Sequence, residues 1–573
     1  MSCHEILVEA ESFAEKGGWK VDQQFVHGMG SPYLLAHGMG KPVPNAKTTV
    51  AFPQPGIYHV WVRAKNWVPG DWKAPGRFQL VVDGEVLAPL FGTEPGWNWQ
   101  DGGVIGVAGA ELVVELQDLT GFDGRCDAIF FTTDSDTVPP NTLKEMAPWR
   151  DRLLGRPETP PSAGEFDVVV AGGGIAGCAA ALAAEKQGLA VALIHDRPFL
   201  GGNASQEIRV HTIGIHGKGK AILEGIDTVH WPNGDAAAIP DTEKRHRTMD
   251  AAAGVKQFLG WRACSAGTNG DQITSLDAEH IETGKRLRFA APVFIDCTGD
   301  GWIGHWAGAE YRYGRERRDE FDEVWEEHGA LWSPERPDSR VMGASVLWNS
   351  HETGTPSDFP EVPWAMDVAG DKTATAGEWY WEFSANDRHQ IGDAEAIRDH
   401  MLRAIYGSFY NAKQQPENAN AELLWVAYIA GKRESRRIVG DYIYTQKDMT
   451  EQRRFEDTVA EETRAIDVHY QRNLTDHAES KYDFMSEALF MKTGEYHIPF
   501  RCLYSKNIEN LMMAGRCFSC SHIGLGGPRV MLTLGQMGIA TGFAAALCKK
   551  HATTPRGVRE NHIKELRSLI GYT

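Results

Sequence analysis

The stretch Asp167–Gly177 reads D-V-V-V-A-G-G-G-I-A-G and runs into the small-residue series C-A-A-A-L-A-A. An apolar strand, three spaced glycines and an Ala-rich helix form the turn that seats a dinucleotide pyrophosphate. Gly172 permits a sharp turn. Gly174 lets the backbone approach phosphate without an intervening Cβ. Gly177 lets the helix lie close on the strand while its N-terminal N–H groups face the negative charge. A second apolar strand, Ala190–Ile194, follows at the spacing that a strand–turn–helix–strand unit requires.

Further motifs follow in order. His195–Ser205 reads H-D-R-P-F-L-G-G-N-A-S, Phe294–Gly301 reads F-I-D-C-T-G-D-G, and Gly431–Arg437 reads G-K-R-E-S-R-R. Asn510–Arg516 reads N-L-M-M-A-G-R, and Gly524–Arg529 reads G-L-G-G-P-R before an Ala/Gly-rich helix from about Leu534. Over roughly residues 166–550 this order resembles the glutathione-reductase-like flavoproteins, and among them the FAD-dependent oxidoreductase family whose members are often labelled xanthan-lyase-like. The resemblance implies FAD as cofactor. It implies FAD contacts from Gly172, Gly174 and Gly177, from Arg197, Gly201 and Gly202, and from Asn203, Ser205 and Arg209. The later motifs would add Thr298, Gly299 and Asp300, then Gly515, Arg516, Gly527 and Arg529. One position departs from the family pattern. The acid that usually ends the second strand and binds the adenosine ribose is His195 here, with Asp196 next, so either His195 donates to the ribose or Asp196 reaches it from the turn.

Oxidation of an alcohol by hydride transfer to flavin needs a base near the hydroxyl, and histidine titrates in the right range. Of 21 histidines, His522 in S-H-I-G-L-G-G-P-R is the first choice, because related proteins turn this region toward the flavin ring. His497, in E-Y-H-I-P-F-R, is the second. Each has a structural alternative as a hydrogen-bonded core histidine. His211 and His216, in R-V-H-T-I-G-I-H-G, are candidates for substrate or flavin contact, or for covalent flavin attachment. Arg516 and Arg529 could stabilise negative charge or hold the C-terminal fold. Glu434 could bind substrate or pair with its Arg neighbours.

These residues need a scaffold in three parts. Residues 1–137 alternate over short runs such as Tyr58–Arg63, Arg77–Val82 and Glu111–Leu116, separated by turn signals at Pro55-Gly56 and Asp83-Gly84. That is the pattern of an all-β sandwich, and the order of its motifs resembles jelly-roll carbohydrate-binding modules. Trp67, Trp72, Trp97 and Trp99 would be the sugar-stacking candidates, or else core residues. Completing the catalytic cleft is the alternative role for this unit. Residues 138–165 form a Pro-rich linker holding one short helix, W-R-D-R-L-L. Residues 166–573 form the α/β FAD domain, with an α+β substrate subdomain inserted over roughly 305–505; it includes strands at Val341–Trp348 and Glu378–Phe383 and a helix over Glu395–Phe409. There is no second G-x-G-x-x-G, which argues against a built-in pyridine-nucleotide domain.

At 573 residues the chain has ample core for two or three domains. A formal net charge of −19 argues against nucleic acid or an anionic membrane as partner. No apolar run approaches the ~20 residues of a membrane helix, and the N-terminus lacks an export signal. Nine scattered cysteines favour reduced thiols in a cytoplasm. Cys517 and Cys520 share C-F-S-C spacing, yet no second pair completes a zinc site, so no metal is expected.

The expected activity is therefore FAD-dependent oxidation of a sugar, glycoside or oligosaccharide at a carbinol carbon, with oxygen, a quinone or a protein carrier as the electron acceptor. A redox-neutral lyase or hydrolase with transient oxidation is one alternative, and a non-catalytic glycan-binding flavoprotein another.

Overall fold

Five parallel strands build the centre of the molecule, in the spatial order Val255–Leu259, Val191–His195, Val168–Ala171, Val293–Asp296, Leu511–Met513. The computed structural model describes residues 3–474 and 481–572. Val168–Ala171 is buried throughout, as expected of a strand covered on both faces. The chain winds outward from this strand in one direction and then restarts at Val293–Asp296 on its other side. The carboxyl ends of these two neighbours therefore diverge around a crevice, the position where open α/β sheets bind ligands.

One face of the sheet is covered by the Ile175–Lys186 helix, which packs on the C-terminal Met531–His551 helix. Small residues make this approach possible: a Cβ at Gly538 would lie 2.1 Å from the Ala176 carbonyl oxygen, and one at Gly542 2.3 Å from that of Ala180. Met531–His551 is long and apolar enough to cross a membrane by length and composition, contrary to the expectation that no segment comes near that length. Its apolar stretch is 94% buried within the protein, and that burial accounts for its composition.

Residues 3–137 form two antiparallel sheets. Lys20–Asp22, Tyr33–Ala36, Gly124–Thr132, Gly56–Ala64 and Asn98–Val107 make one, with Glu5–Glu9 also on Gly124–Thr132. Ala46–Ala51, Glu111–Asp118, Phe78–Val82 and Glu85–Val86 make the other. Alternate residues of each meet in one core, where Leu112, Val114 and Leu116 pack with Val60, Val62, Ile129 and Phe131. The Pro-rich segment after it is no loose tether. Its Leu143–Leu153 helix lays Arg150 in a buried pair with Asp127 at 2.5 Å, and Glu9 stands 3.3 Å away.

The sandwich is also fastened to the rest of the chain. In the Ala394–Lys413 helix, Glu395, Arg398 and Asp399 fall at i, i+3 and i+4 and so share one face. Arg125 of the sandwich pairs with Glu395 at 2.7 Å and Asp399 at 2.5 Å, while Arg398 reaches back to Asp22 at 2.9 Å. Tyr406 donates to Asp123 at 2.8 Å. Between the Trp302–Ala307 helix and the Leu511–Met513 strand, several short sheets flank this long helix and form the inserted part.

Candidate active site

A cavity of about 520 Å³ opens at the carboxyl ends of the parallel strands. Its floor is the Gly172–Gly174 turn. Gly172 has φ +106°, and a Cβ there would lie 2.0 Å from the Cys297 carbonyl oxygen, so only glycine fits. Gly174 differs. A Cβ on it would approach no protein atom closer than Gly202 Cα at 3.9 Å. The absent side chain therefore leaves room in the cavity itself, as a cradle for a phosphate backbone would. Gly177 is a packing glycine, since a Cβ would lie 1.8 Å from the Gly172 carbonyl oxygen.

His195 ends its strand and turns under this loop. Its Nδ1 accepts the Gly173 N–H at 3.0 Å and its Nε2–H donates to the Phe199 carbonyl at 3.1 Å. Burial pulls its pKa down to about 4, against the opposing charge of Asp196. Both ring nitrogens are thus engaged within the protein. Asp196 lines the cavity with a half-exposed carboxylate. Arg197 lines it as well, held by Glu207 at 3.2 Å.

Gly201, Gly202 and Asn203 continue the wall, as do Thr298, Gly299 and Asp300, then Gly515 and Arg516. Asp300 accepts from Lys432 at 2.8 Å, Ser435 at 2.7 Å and Arg516 at 3.0 Å. Burial alone would raise its carboxyl, but Lys432 and Arg516 hold it well below the usual carboxylate range. Ser205 lies beneath the wall, where its hydroxyl meets Arg197 and the Glu207 N–H. Arg209 points elsewhere, donating to the Gln206 carbonyl with its guanidinium 4.2 Å from the Trp425 ring centre. Gly527 is a packing position under Tyr496, whose hydroxyl would lie 2.5 Å from a Cβ there.

The remaining wall comes from the inserted part and the C-terminal helix. Arg529, Val530 and Met531 line it where Met531–His551 begins with no side-chain cap. Arg529 pairs with Asp467 at 3.1 Å, Arg464 pairs with it at 2.7 Å, and His469 Nε2 stands 3.0 Å from it. Burial opposes ionisation of Asp467, yet Arg529 and His469 drive its pKa far below normal. His469 Nδ1 meets Glu382 at 2.6 Å, and Arg433 meets the same carboxylate at 3.2 Å. Trp231, Trp379 and Phe490 give this wall aromatic surface.

His211 faces the same space. Its backbone N–H donates to Asn233 at 3.1 Å, and its ring stands edge-on to Trp231 with centroids 3.9 Å apart. Nδ1 is buried with no hydrogen-bond partner, and the Asn233 side chain stands beside the ring. Burial lowers its pKa, so it is a neutral imidazole at neutral pH.

The family model described as FAD dependent oxidoreductase matches residues 167–570. The chain belongs to this family. No curated protein matches the sequence. Among solved structures the chain is similar to THI4 of Thermovibrio ammonificans at 20% identity, over 29% of this chain and 69% of that one, with a TM-score of 0.21. A geranylgeranyl bacteriochlorophyll reductase-like protein from Thermoplasma acidophilum is 11% identical over 71% and 83% of the two chains, with a TM-score of 0.31. A family 35 carbohydrate binding module from Clostridium thermocellum is 17% identical over 22% and 97%, with a TM-score of 0.18.

In this FAD-dependent oxidoreductase the open cradle at Gly174, the half-exposed Asp196 carboxylate and the Arg197 and Arg516 guanidinium groups fit the cofactor. Membership makes the chain an enzyme, which removes the ground for a non-catalytic glycan-binding role.

Several expected site residues of the oxidoreductase lie elsewhere. His522 is 2% exposed and outside the cavity wall. Its Nδ1 pairs with Glu434 at 2.8 Å and its N–H donates to Glu316, while Arg437 bridges both carboxylates. His522 and Glu434 thus belong to a buried structural network. His497 sits on the Tyr496–Pro499 strand, also away from the cavity. His216 is bound to Asp227 at 2.8 Å. The Trp97 indole N–H donates to Glu395 at 3.1 Å, and that of Trp99 to the Pro140 carbonyl at 3.0 Å, so both turn inward. Cys517 and Cys520 are free buried thiols. Sequence reasoning overlooked His469, Asp467, Arg464, Trp379 and, from the sandwich, Gln23 and Gln24, all of which line the cavity. Asp467 and His469 lie two apart on the Ile466–Gln471 strand, a spacing that puts both on one face and was the available signal.

Proposed function

We propose that this FAD-dependent oxidoreductase oxidises a carbinol carbon of a sugar, glycoside or oligosaccharide, with His211 as the base. The observation that carries this reading is the His211 imidazole at the wall of the cavity, its pKa lowered by burial and its Nδ1 tied to no carboxylate or other partner. Bound FAD supplies the two-electron redox step. His211 would accept the substrate hydroxyl proton at its imidazole, which lines the cavity. Such a base contributes about 10²–10⁴-fold. Arg529 and the uncapped start of Met531–His551 add positive charge, which favours negative charge developing beside them.

Substrate class is supported by the mixture in the wall. Trp231 and Trp379 suit the apolar faces of a sugar ring, while Arg433, Arg464 and Asp467 suit its hydroxyls. A net charge of −19 favours a small substrate over nucleic acid or an anionic membrane. Nine free thiols suit a reducing cytoplasm. We read the sandwich as part of the catalytic cleft rather than a glycan collector, because Gln23 and Gln24 line the cavity and Trp97 and Trp99 turn inward, although Trp72 is exposed.

Anaerobic flavin absorbance, recorded while sugars and glycosides are added, tests this. Bleaching with a sugar supports oxidation, and reoxidation by oxygen, a quinone or a protein carrier then identifies the electron acceptor. Product without any external acceptor replaces oxidation with the redox-neutral reaction. Neither signal across the panel overturns the sugar assignment.

A further inference from the structure

A second group of metal-ligating side chains lies outside the cavity, and none of the chemistry above uses it. The Thr458–Glu462 and Tyr496–Pro499 strands pair antiparallel, with Glu461 directly opposite His497. Glu495 precedes His497 by two residues, which directs both side chains to the same face of this ribbon. One oxygen from each carboxylate and one imidazole nitrogen all lie within 4.8 Å of one another.

His497 is the decisive member. It is 4% exposed, and both its ring nitrogens are buried without a hydrogen-bond partner. Glu495 Oε1 stands 3.3 Å from Nε2, but not in hydrogen-bond geometry. A buried imidazole left unpaired costs free energy unless something occupies its lone pair. The 3.3 Å separation also equals the edge of a tetrahedron whose ligand bonds are about 2.0–2.1 Å, the length of zinc–nitrogen and zinc–carboxylate bonds. Two carboxylates balance a divalent charge; Arg454, which pairs with the same Glu495 oxygen at 3.5 Å, is largely exposed and would turn to solvent when the ion binds.

From this geometry we infer that Glu461, Glu495 and His497 bind a first-row divalent metal ion of the zinc type. One nitrogen and two oxygen donors suit zinc, and manganese or iron(II) less selectively. The site would be structural. Gln536, in the C-terminal helix, clasps the backbone N–H and carbonyl of Glu461 and also the Ile215 carbonyl. An ion on the ribbon would therefore pin the segment that follows His211.

The test is equilibrium dialysis of the FAD-loaded full chain, stripped with a chelator, against zinc chloride, with bound zinc counted by mass spectrometry. His497→Gln and the half-exposed Glu495→Gln should each retain one zinc fewer than wild type, or bind it about tenfold or more weakly, since losing a ligand costs at least what losing its outer support does. His551→Gln controls for a second His/Glu group formed by His551, His562 and Glu565, and should leave that difference unchanged. Flavin absorbance reports that each variant is folded. No zinc on wild type, or equal zinc on wild type and both ribbon variants, overturns the site.

Discussion

The Nδ1 of His195 accepts the backbone N–H of Gly173 at 3.0 Å, across 22 residues of sequence. The histidine that replaces the expected acid thus braces the glycine turn from below, and the neighbouring Asp196 lines the cavity with its half-exposed carboxylate. Asp196→Asn should weaken FAD binding about tenfold or more, the value of one charge-assisted hydrogen bond of about 1.5–3 kcal/mol. Fluorescence titration of apoprotein with FAD measures this, and unchanged affinity would remove Asp196 from the cofactor site.

Gly174 and Gly172 should respond differently to the same substitution. Gly174→Val places its side chain in open cavity, so the protein should fold and purify colourless. Gly172→Val meets the Cys297 carbonyl and a positive φ together, and the chain should fail to fold. Circular dichroism with the flavin spectrum separates the two. A yellow Gly174→Val variant would sink the phosphate-cradle assignment.

His211→Gln should slow anaerobic flavin reduction by about 10²–10⁴-fold while FAD remains bound. Burial lowers the pKa of His211, so the neutral base persists below the ordinary histidine range near 6.5. In wild type the acidic limb of the reduction rate should therefore fall below that value, and the variant should lack it. Stopped-flow rates across pH decide. The same variant series on His522 should lower stability, not alter the pH profile.

Glu382 is buried beneath His469. Burial opposes its charge, but Arg433 and His469 bring its pKa from 4.5 down to about 2. A carboxylate depressed in the folded state stabilises it fully above the unfolded pKa, and that contribution disappears as pH falls from about 4.5 toward 2. It amounts to about 3 kcal/mol at neutral pH. Glu382→Gln should be less stable at pH 7, and its disadvantage should shrink on acidification. Urea unfolding at a series of pH values checks this, and a constant difference would contradict it.

The pair between Asp22 and Arg398 has no solvent exposure on either side chain. Asp22→Ala should cost about 3–5 kcal/mol, the usual penalty for orphaning a buried charge. Since the pair joins the sandwich to the Ala394–Lys413 helix, unfolding should remain one transition at lower temperature. Two separated calorimetric peaks in wild type would show instead that the interface contributes little.

What could be read along the chain was whatever repeats locally. The Gly172–Gly177 turn and the Asp300 and Arg516 motifs sit where their spacing indicated, because a strand–turn–helix unit is specified by neighbours in sequence. The surroundings of His522 were hidden for the opposite reason. His522 pairs with Glu434, 88 residues away, and no local pattern signals that pairing. Trp97 has the composition of a sugar platform until Glu395, some three hundred positions downstream, accepts its indole N–H. Burial and long-range partners decided these roles, and both are properties of the packed chain.

Gln23 and Gln24 project from the first thirty residues into a cavity whose phosphate turn begins at Gly172. This has an evolutionary consequence. A catalytic domain whose cleft is closed by another domain cannot be shuffled onto a new partner as a self-sufficient cassette, since the borrowed copy would arrive with one wall missing. Mutations at residues 23 and 24 should therefore be felt as changes in the enzyme, not in an accessory module.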